Sequence, residues 1–327
     1  MSNMDGRALT DQRVRLQAAA ELGTGETQVF LFSRSSDLKS PEVRRINLTT
    51  KVANRFRESA GRWAHELGSR TLVKYDPGRT PSVHEVAQLE ITNHPVIQTI
   101  AQLVSDPIQV PLYSTEDAGS FLRNLSFYIV AAQTTDQTWF YFLKTKTETL
   151  RLKRTRRIAL IASGNAYDEL DEDLLVFGET YDALLTSDSL FVINQTSVER
   201  ALGLVAEARA VAMTTLSVLL STVAVANASD LVAAATTDLN MISKLRSITS
   251  KMTENPAYAS AMTTERILAF ARERKITVDT ESVNGVPHLV FHPDPQRRWR
   301  ILKLLDDDYL DSALTDINYE VNSKSPI

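Results

Sequence analysis

The sequence contains no cysteine. This absence excludes disulfide bonds, thiolate nucleophiles and cysteine-ligated zinc or iron–sulfur clusters. Common catalytic signatures are missing as well. No HExxH motif occurs, and GxGxxG, GxxxxGK[ST] and GxSxG are also absent. The chain therefore carries no signature of a zinc protease, of a phosphate-binding loop or of a nucleophile elbow.

Neither sign of charge dominates. The chain has 36 Lys and Arg residues and 40 Asp and Glu residues, for a formal charge of −4. A net attraction to nucleic acid is thereby excluded, and any polyanion must bind a local basic surface. One uncharged stretch, from Ala210 to Ser229, is long enough to span a bilayer. Threonine, serine and asparagine residues interrupt it, so we interpret it as a buried or interface helix.

The pattern of apolar runs predicts an α+β protein with a mixed or antiparallel sheet meander, an inserted helical subdomain and peripheral helices. Strand-like runs recur between Trp139 and Ile193 with turn signals between them. From Val198 to about Met252 there is no proline, and alanine, leucine and valine dominate. The expected domains are an N-terminal α/β region (1–124), a meander with a basic run (125–195), a helical subdomain (196–254) and a C-terminal α/β segment that completes the sheet domain (255–327).

Local patterns predict individual elements. The Asn284–Gly285 pair between apolar runs predicts a two-residue hairpin. Ser82 followed by Glu85 fits a capping box and predicts a helix that extends to Leu89. An amphipathic helix is predicted from the four-, seven- and four-residue spacing of Val52, Phe56, Trp63 and Leu67.

A basic run occupies residues 144–157, with seven basic residues and a single acid, Glu148. Lysine and arginine rows on a strand can follow a nucleic-acid backbone through contacts with phosphates. The residues predicted to bind DNA are Lys144, Lys146, Arg151, Lys153, Arg154, Arg156 and Arg157. The alternative is internal neutralisation, in which this run faces the acidic run Asp168–Asp173 across a hairpin at Gly164–Asn165.

Acidic residues allow a second function. Asp171 and Asp173, with a neighbouring lysine, could hold Mg²⁺ in a metal-dependent nuclease, although a solvated turn explains the acidic run Asp168–Asp173 more simply. Asp306–Asp308 diverge by about 100° each on a helix end, which predicts a solvated terminus. A second basic cluster with phosphate-binding potential comprises Arg297, Arg298, Arg300 and Lys303.

Two segments carry a resemblance. One is DELDEDLLVFGETYDALLTSDSLFVINQTSVERALG at residues 168–203, and the other is ILKLLDDDYLDSALTDINYEVNSKSPI at residues 301–327. Both resemble the KwaB family of the Kiwa anti-phage defence system. The resemblance covers residues 127–327.

The resemblance implies a cytoplasmic effector that binds DNA without cleaving it and restrains phage replication or expression. It implies a separate membrane protein, KwaA, as partner, which would recruit the chain to the inner face of the membrane. Assembly into a homodimer or higher homo-oligomer is expected, with phage proteins as further partners, and no cofactor is expected. A third hypothesis is a structural adaptor that binds only protein, with Leu216 and Leu220 at the oligomer or partner interface.

Overall fold

The computed structural model describes residues 6–33, 41–105, 109–114, 121–122, 124–145, 160–163, 166–169, 176–294, 296–306, 309–311 and 318–320. The chain forms two compact units. The first consists of Met1–Lys74 and Val83–Gly203, and the second of Tyr75–Ser82 and Leu204–Ile327.

The first unit is built on an eight-stranded sheet with strand order β2-β1-β5-β6-β9-β10-β4-β3. Its described pairings are antiparallel except for β3 with β4, which is parallel. The sheet is therefore mixed, and the predicted α+β class is confirmed. Its strands are β1 (Thr27–Ser33), β2 (Glu42–Ile46), β3 (Thr71–Lys74), β4 (Glu85–Glu90), β5 (Leu125–Gln133), β6 (Trp139–Thr145), β9 (Ala183–Leu185) and β10 (Ser189–Val192).

One further strand pair and four helices accompany this sheet in the part of the first unit that the structure describes. The strand pair β7 (Leu160–Ser163) and β8 (Ala166–Glu169) forms a separate antiparallel sheet. A short 3₁₀ turn also precedes the third helix, at Ile91–Asn93. The helices are α1 (Gly6–Ala20), α2 (Thr50–Gly68), α3 (Pro95–Ser105) and α4 (Gln195–Leu202).

Helix α2 packs its apolar stripe into the core of the first unit. Thr49 caps the helix by accepting a hydrogen bond from the Val52 amide at 3.5 Å. Phe56, Trp63 and Leu67 are buried as the spacing predicts, whereas Val52 is 43% exposed. Val52 lies in the first turn of the helix, so the buried stripe begins one turn later than expected.

The second unit is mainly helical. The proline-free stretch contains three helices, α5 (Val205–Thr222), α6 (Ala228–Thr237) and α7 (Leu239–Glu254). The later elements of the unit are α8 (Pro256–Ala261), α9 (Thr264–Glu273), α10 (Arg300–Leu305) and the pairs β11 (Thr280–Val283) with β12 (Val286–Leu289) and β13 (Tyr309–Asp311) with β14 (Asn318–Glu320). An apolar core joins the three helices to α8, α9, α10 and the end of β12.

The hairpin prediction is confirmed. β11 pairs with β12 across Asn284 and Gly285, with Val283 opposite Val286. The two turn residues have φ values of 54° and 79°. Positive φ at both positions is the requirement of a type I′ turn, which asparagine and glycine meet at low steric cost.

The capping-box prediction is wrong. Glu85 begins strand β4 instead of a helical turn, and the four residues that follow it are buried. β4 lies between β3 and β10, and the Gln88 amide donates to Ser189 Oγ at 3.0 Å. Pairing on both sides of the strand outweighs the local helical signal, because such a signal is only a weak prior against tertiary context.

Candidate nucleic-acid interface

The predicted basic run begins at the end of a central strand. β6 pairs with β5 on one side and with β9 on the other. Lys144 and Thr145 are its last two residues, opposite Tyr128 and Phe127 of β5. The six predicted DNA contacts that follow lie outside the residues that the structure describes: Lys146, Arg151, Lys153, Arg154, Arg156 and Arg157.

A buried carboxylate fixes this end of β6. Asp182 is 4% exposed and lies immediately before β9. Its Oδ2 accepts from the Thr145 amide at 2.9 Å and from the Thr145 hydroxyl at 2.5 Å. Its Oδ1 accepts from Lys144 Nζ at 3.1 Å and from Asn194 Nδ2 at 3.4 Å. With four donors, the buried charge is well satisfied.

The backbone of Asp182 adds to this arrangement. Its amide donates to the Leu143 carbonyl at 2.8 Å, and its carbonyl accepts from the Ile193 amide at 2.9 Å. A single residue thus joins the ends of β6 and β10 and the cap of α4, where Asn194 accepts from the Ser197 amide at 3.4 Å. The basic run therefore starts from a rigid position in the sheet.

Lys144 differs from the rest of the predicted set. Its ammonium group is paired with Asp182, and only 16% of its side chain is exposed. A buried and paired lysine contributes less to a phosphate-binding surface than an exposed one, because its charge is already compensated. Lys144 instead holds the strand from which the basic run departs.

Beyond the basic run, the chain continues into the β7–β8 hairpin. Leu160 pairs with Glu169, and Ile161 pairs with Asp168. Within the described ladder, these two acids are thus opposite apolar residues. Cross-strand neutralisation of the basic run would have to come from positions outside the described part of the chain, which include Asp171 and Asp173 of the nuclease hypothesis.

No cluster of three or more histidine, aspartate or glutamate residues with metal-binding geometry occurs among the described residues. The acid at the end of α10, Asp306, forms ion pairs within the second unit. Asp306 is 3% exposed and binds Lys244 and Lys251 of α7. The expectation of a solvated helix terminus is therefore wrong for Asp306, while Asp307 and Asp308 lie outside the described residues.

The second basic cluster is largely compensated by nearby acids. Arg297 binds Asp294 at 2.9 Å, and its guanidinium approaches Asp279 at 3.9 Å. Arg298 binds Asp238 at 3.0 Å and lies over the Trp299 ring at 5.2 Å. These contacts reduce the charge that Arg297 and Arg298 could offer to a phosphate backbone.

The predicted interface residues lie on α5. Leu216 is 1% exposed and belongs to the core of its own unit, and Leu220 packs partly against that core. A charged residue at position 216 would therefore disturb the fold of the unit itself. Among the helices that the structure describes, none is long and apolar enough to cross a membrane.

The sequence interpretation missed Asp182 and misjudged Asp306. Each acid directly adjoins apolar residues that prove to be buried, Ala183 in one case and Leu305 in the other. This adjacency alone does not mark a buried carboxylate, because the exposed Glu90 also follows a buried residue, Leu89. The partners of the two aspartates are distant in sequence, with Lys144 and Asp182 separated by 38 positions.

One comparison with known proteins found a relationship. The model of a family described as Kiwa protein KwaB-like matches residues 122–315. The match covers more than half of the chain and confirms the resemblance seen in the sequence. No curated protein matched the chain, and no solved structure matched it.

Proposed function

Since this chain belongs to the KwaB-like family of the Kiwa anti-phage defence system, we propose that it is a defence effector that binds DNA without cleaving it. The proposed contact surface is the basic run at residues 144–157. The observation that carries the proposal is the local charge: seven basic residues accompany one acid in a chain whose formal charge is −4. Such a run attracts phosphates even though the whole molecule does not.

The structure at the base of the run supports this role. Asp182 accepts a hydrogen bond from the Thr145 amide near the start of the run, and the β7–β8 hairpin begins at Leu160, after the run has ended. The basic run thus lies in sequence between β6, whose end Asp182 fixes, and β7. With Lys144 paired to Asp182, the remaining six basic residues are the proposed phosphate contacts.

The proposed partners follow from the family. We expect the chain to act as a homodimer or higher homo-oligomer together with a KwaA-like membrane protein, which brings it to the inner face of the cell membrane. DNA that enters near this complex would then be held by phosphate contacts, and these carry no sequence information. Such binding would block replication or expression of phage DNA without catalysis.

Salt-dependent binding tests the proposal. The purified full chain is titrated with duplex DNA at several salt concentrations, beginning at about 50 mM, where electrostatic binding is strong. Substitution Arg154→Glu with Arg157→Glu should weaken binding at every salt concentration and reduce the slope of log K against log salt by about two. The absence of binding by the folded wild-type chain would refute the proposal.

A matched control separates local from global charge. Arg266 and Arg272 are exposed on α9, and Arg266→Glu with Arg272→Glu makes the same change in net charge. This control should retain the wild-type slope, and equal losses in both double variants would contradict a local surface.

Incubation with plasmid and Mg²⁺ tests catalysis. Cleavage of the plasmid that is abolished by Asp171→Asn would favour the nuclease alternative.

A further inference from the structure

A cavity of about 410 Å³ lies in the first unit beside the N-terminal half of α2. The segment that leads into β9 forms its opposite wall. Its size falls in the range typical of small-molecule sites. The lining residues used below are Lys51, Arg55, Phe56, Phe177, Gly178 and Glu179.

Aromatic rings form the apolar wall of the cavity. The Phe177 ring meets Phe56 edge-on at 5.3 Å between centroids and meets Tyr128 edge-on at 5.0 Å. The Tyr128 hydroxyl donates to the Gly178 carbonyl at 3.2 Å. Burial raises the pKa of Tyr128 above its ordinary value, so this hydroxyl remains a donor. The wall is therefore held in place before any ligand arrives.

Charged side chains also line the cavity, and among them the cations Lys51 and Arg55 outnumber the acid Glu179. Glu179 accepts from Arg55 at 2.7 Å and from Arg62 at 3.2 Å. The hydrogen bond from Arg55 lowers the pKa of Glu179, so its carboxylate is charged at neutral pH. Arg62 does not line the cavity, but it shares Glu179 with Arg55, so these three groups together carry one net positive charge.

With Lys51 added, the four charged groups carry a net charge of +2. Arg55 shares Glu179 with Arg62, and Lys51 is bonded to no acid among the described residues. Lys51 and Arg55 are four residues apart on α2 and so lie on the same helical face. Lys51 also belongs to the first turn of this 19-residue helix, where the helix dipole adds to the attraction for an anion.

We propose that this cavity binds a nucleoside monophosphate, with the base against Phe177 and Phe56 and the phosphate at Lys51 and Arg55. A phosphate monoester carries a charge of about −1.5 to −2 at pH 7, which matches the net positive charge of Lys51, Arg55, Arg62 and Glu179. A nucleobase is planar and apolar on its faces, which suits an aromatic wall. The inference does not depend on DNA binding by the basic run.

Calorimetry on the full chain tests the site with mononucleotides, the matching nucleosides and inorganic phosphate. Mononucleotides should bind with one-to-one stoichiometry, and removal of the phosphate or of the base should weaken binding at least about tenfold, equivalent to 1.4 kcal/mol. Absence of mononucleotide binding would overturn the proposal. So would equal affinity for the nucleoside, or equal affinity for inorganic phosphate.

A glycine pair provides matched variants. A Cβ added at Gly178 meets no atom within 4 Å, and the same holds for Gly68, the last residue of α2, which does not line the cavity. Gly178→Leu should fill the cavity and reduce mononucleotide affinity at least about tenfold, whereas Gly68→Leu should leave it unchanged. Wild-type affinity in a folded Gly178→Leu protein would refute the site.

A second variant tests the phosphate contact, and an oligonucleotide tests the source of the ligand. Lys51→Gln should reduce affinity for the mononucleotide and leave the weaker nucleoside binding unchanged, and equal losses for both would contradict the assigned contact. A 5′-phosphorylated single-stranded oligonucleotide that competes with the mononucleotide identifies the source as a strand end, and failure to compete identifies it as a free nucleotide. Both results require the same cavity.

Discussion

Two buried aspartates, one in each unit, satisfy their charge in different ways. Asp182 receives one ammonium group and three neutral donors, one of which is the backbone amide of Thr145. Asp306 receives two ammonium groups and one hydroxyl, from Lys244, Lys251 and Ser247. The first arrangement fixes the ends of strands, and the second connects two helices through side chains.

The difference shows what each carboxylate holds in place. Asp182 binds backbone as well as side chains, so its loss would affect the geometry from which the basic run departs. The three partners of Asp306 all lie on one face of α7, since Lys244, Ser247 and Lys251 are three and four residues apart. Asp306 therefore fastens the end of α10 to α7 within the second unit.

The largest effect should come from removal of each acid. Asp306→Ala leaves two partly buried ammonium groups without their common partner and should cost about 3–5 kcal/mol in the free energy of unfolding. Asp182→Ala leaves one ammonium group and the Thr145 donors, so we expect a cost of about 3 kcal/mol. Urea unfolding measures both, with Glu273→Ala, an exposed acid of α9, as control. A larger loss for Asp182→Ala would reverse the comparison.

Removal of one lysine from each site should reduce the free energy of unfolding less than removal of the acid. In this case the Asp182 site should lose more stability than the Asp306 site. Lys144→Met leaves Asp182 with neutral donors only and should cost about 2 kcal/mol. Lys251→Met leaves Asp306 with Lys244, and Lys251 is itself 34% exposed, so we expect about 1 kcal/mol. The urea unfolding midpoints of the two variants show which substitution costs more stability. Equal losses would mean that the number of cations around each acid is unimportant.

The smallest effect should come from a neutral donor. Thr145→Val keeps the shape of the side chain and the backbone amide but removes the hydroxyl that donates to Asp182. We expect a loss of about 0.5–1 kcal/mol, at the lower end of the usual contribution of one hydrogen bond, because the Thr145 amide still donates to the same oxygen. The duplex-binding slope should be unchanged because no charge is removed. A changed slope would show that the hydroxyl positions the basic run.

Signals between near neighbours in sequence predicted much of the fold. The hairpin at Asn284–Gly285 follows from two backbone angles that few other residues adopt, and the buried stripe of α2 follows from the spacing of Phe56, Trp63 and Leu67. The Glu85 prediction failed because β4 is determined by β3 and β10. Pairing with β10, a strand about one hundred residues later in the chain, cannot be read from a capping pattern.

The candidate site was likewise predictable only where the signal is local in sequence. The charge of the basic run is evident in the sequence, and so is the family resemblance. The pairing of Lys144 with Asp182 is not, because only the fold brings the ends of β6 and β9 together. The cavity beside α2 is similarly hidden, since Arg55 and Glu179 are 124 positions apart. Spacing on α2 alone places Lys51 and Arg55 on one face but does not reveal the aromatic wall.

The short segment Tyr75–Ser82 limits where the chain can be divided into fragments that contain a whole unit. It belongs to the second unit although the residues on both sides of it belong to the first. Arg246, which is 1% exposed, donates to the Pro77 carbonyl at 3.2 Å, and Arg79 approaches Glu254 at 3.4 Å. A fragment that begins at Leu204 would lack these contacts, so a gene split at this position would not encode the whole second unit in its later half. On the ribosome, this segment emerges long before the helices that receive it, and the second unit completes its folding only when the late helices close on a piece of early chain.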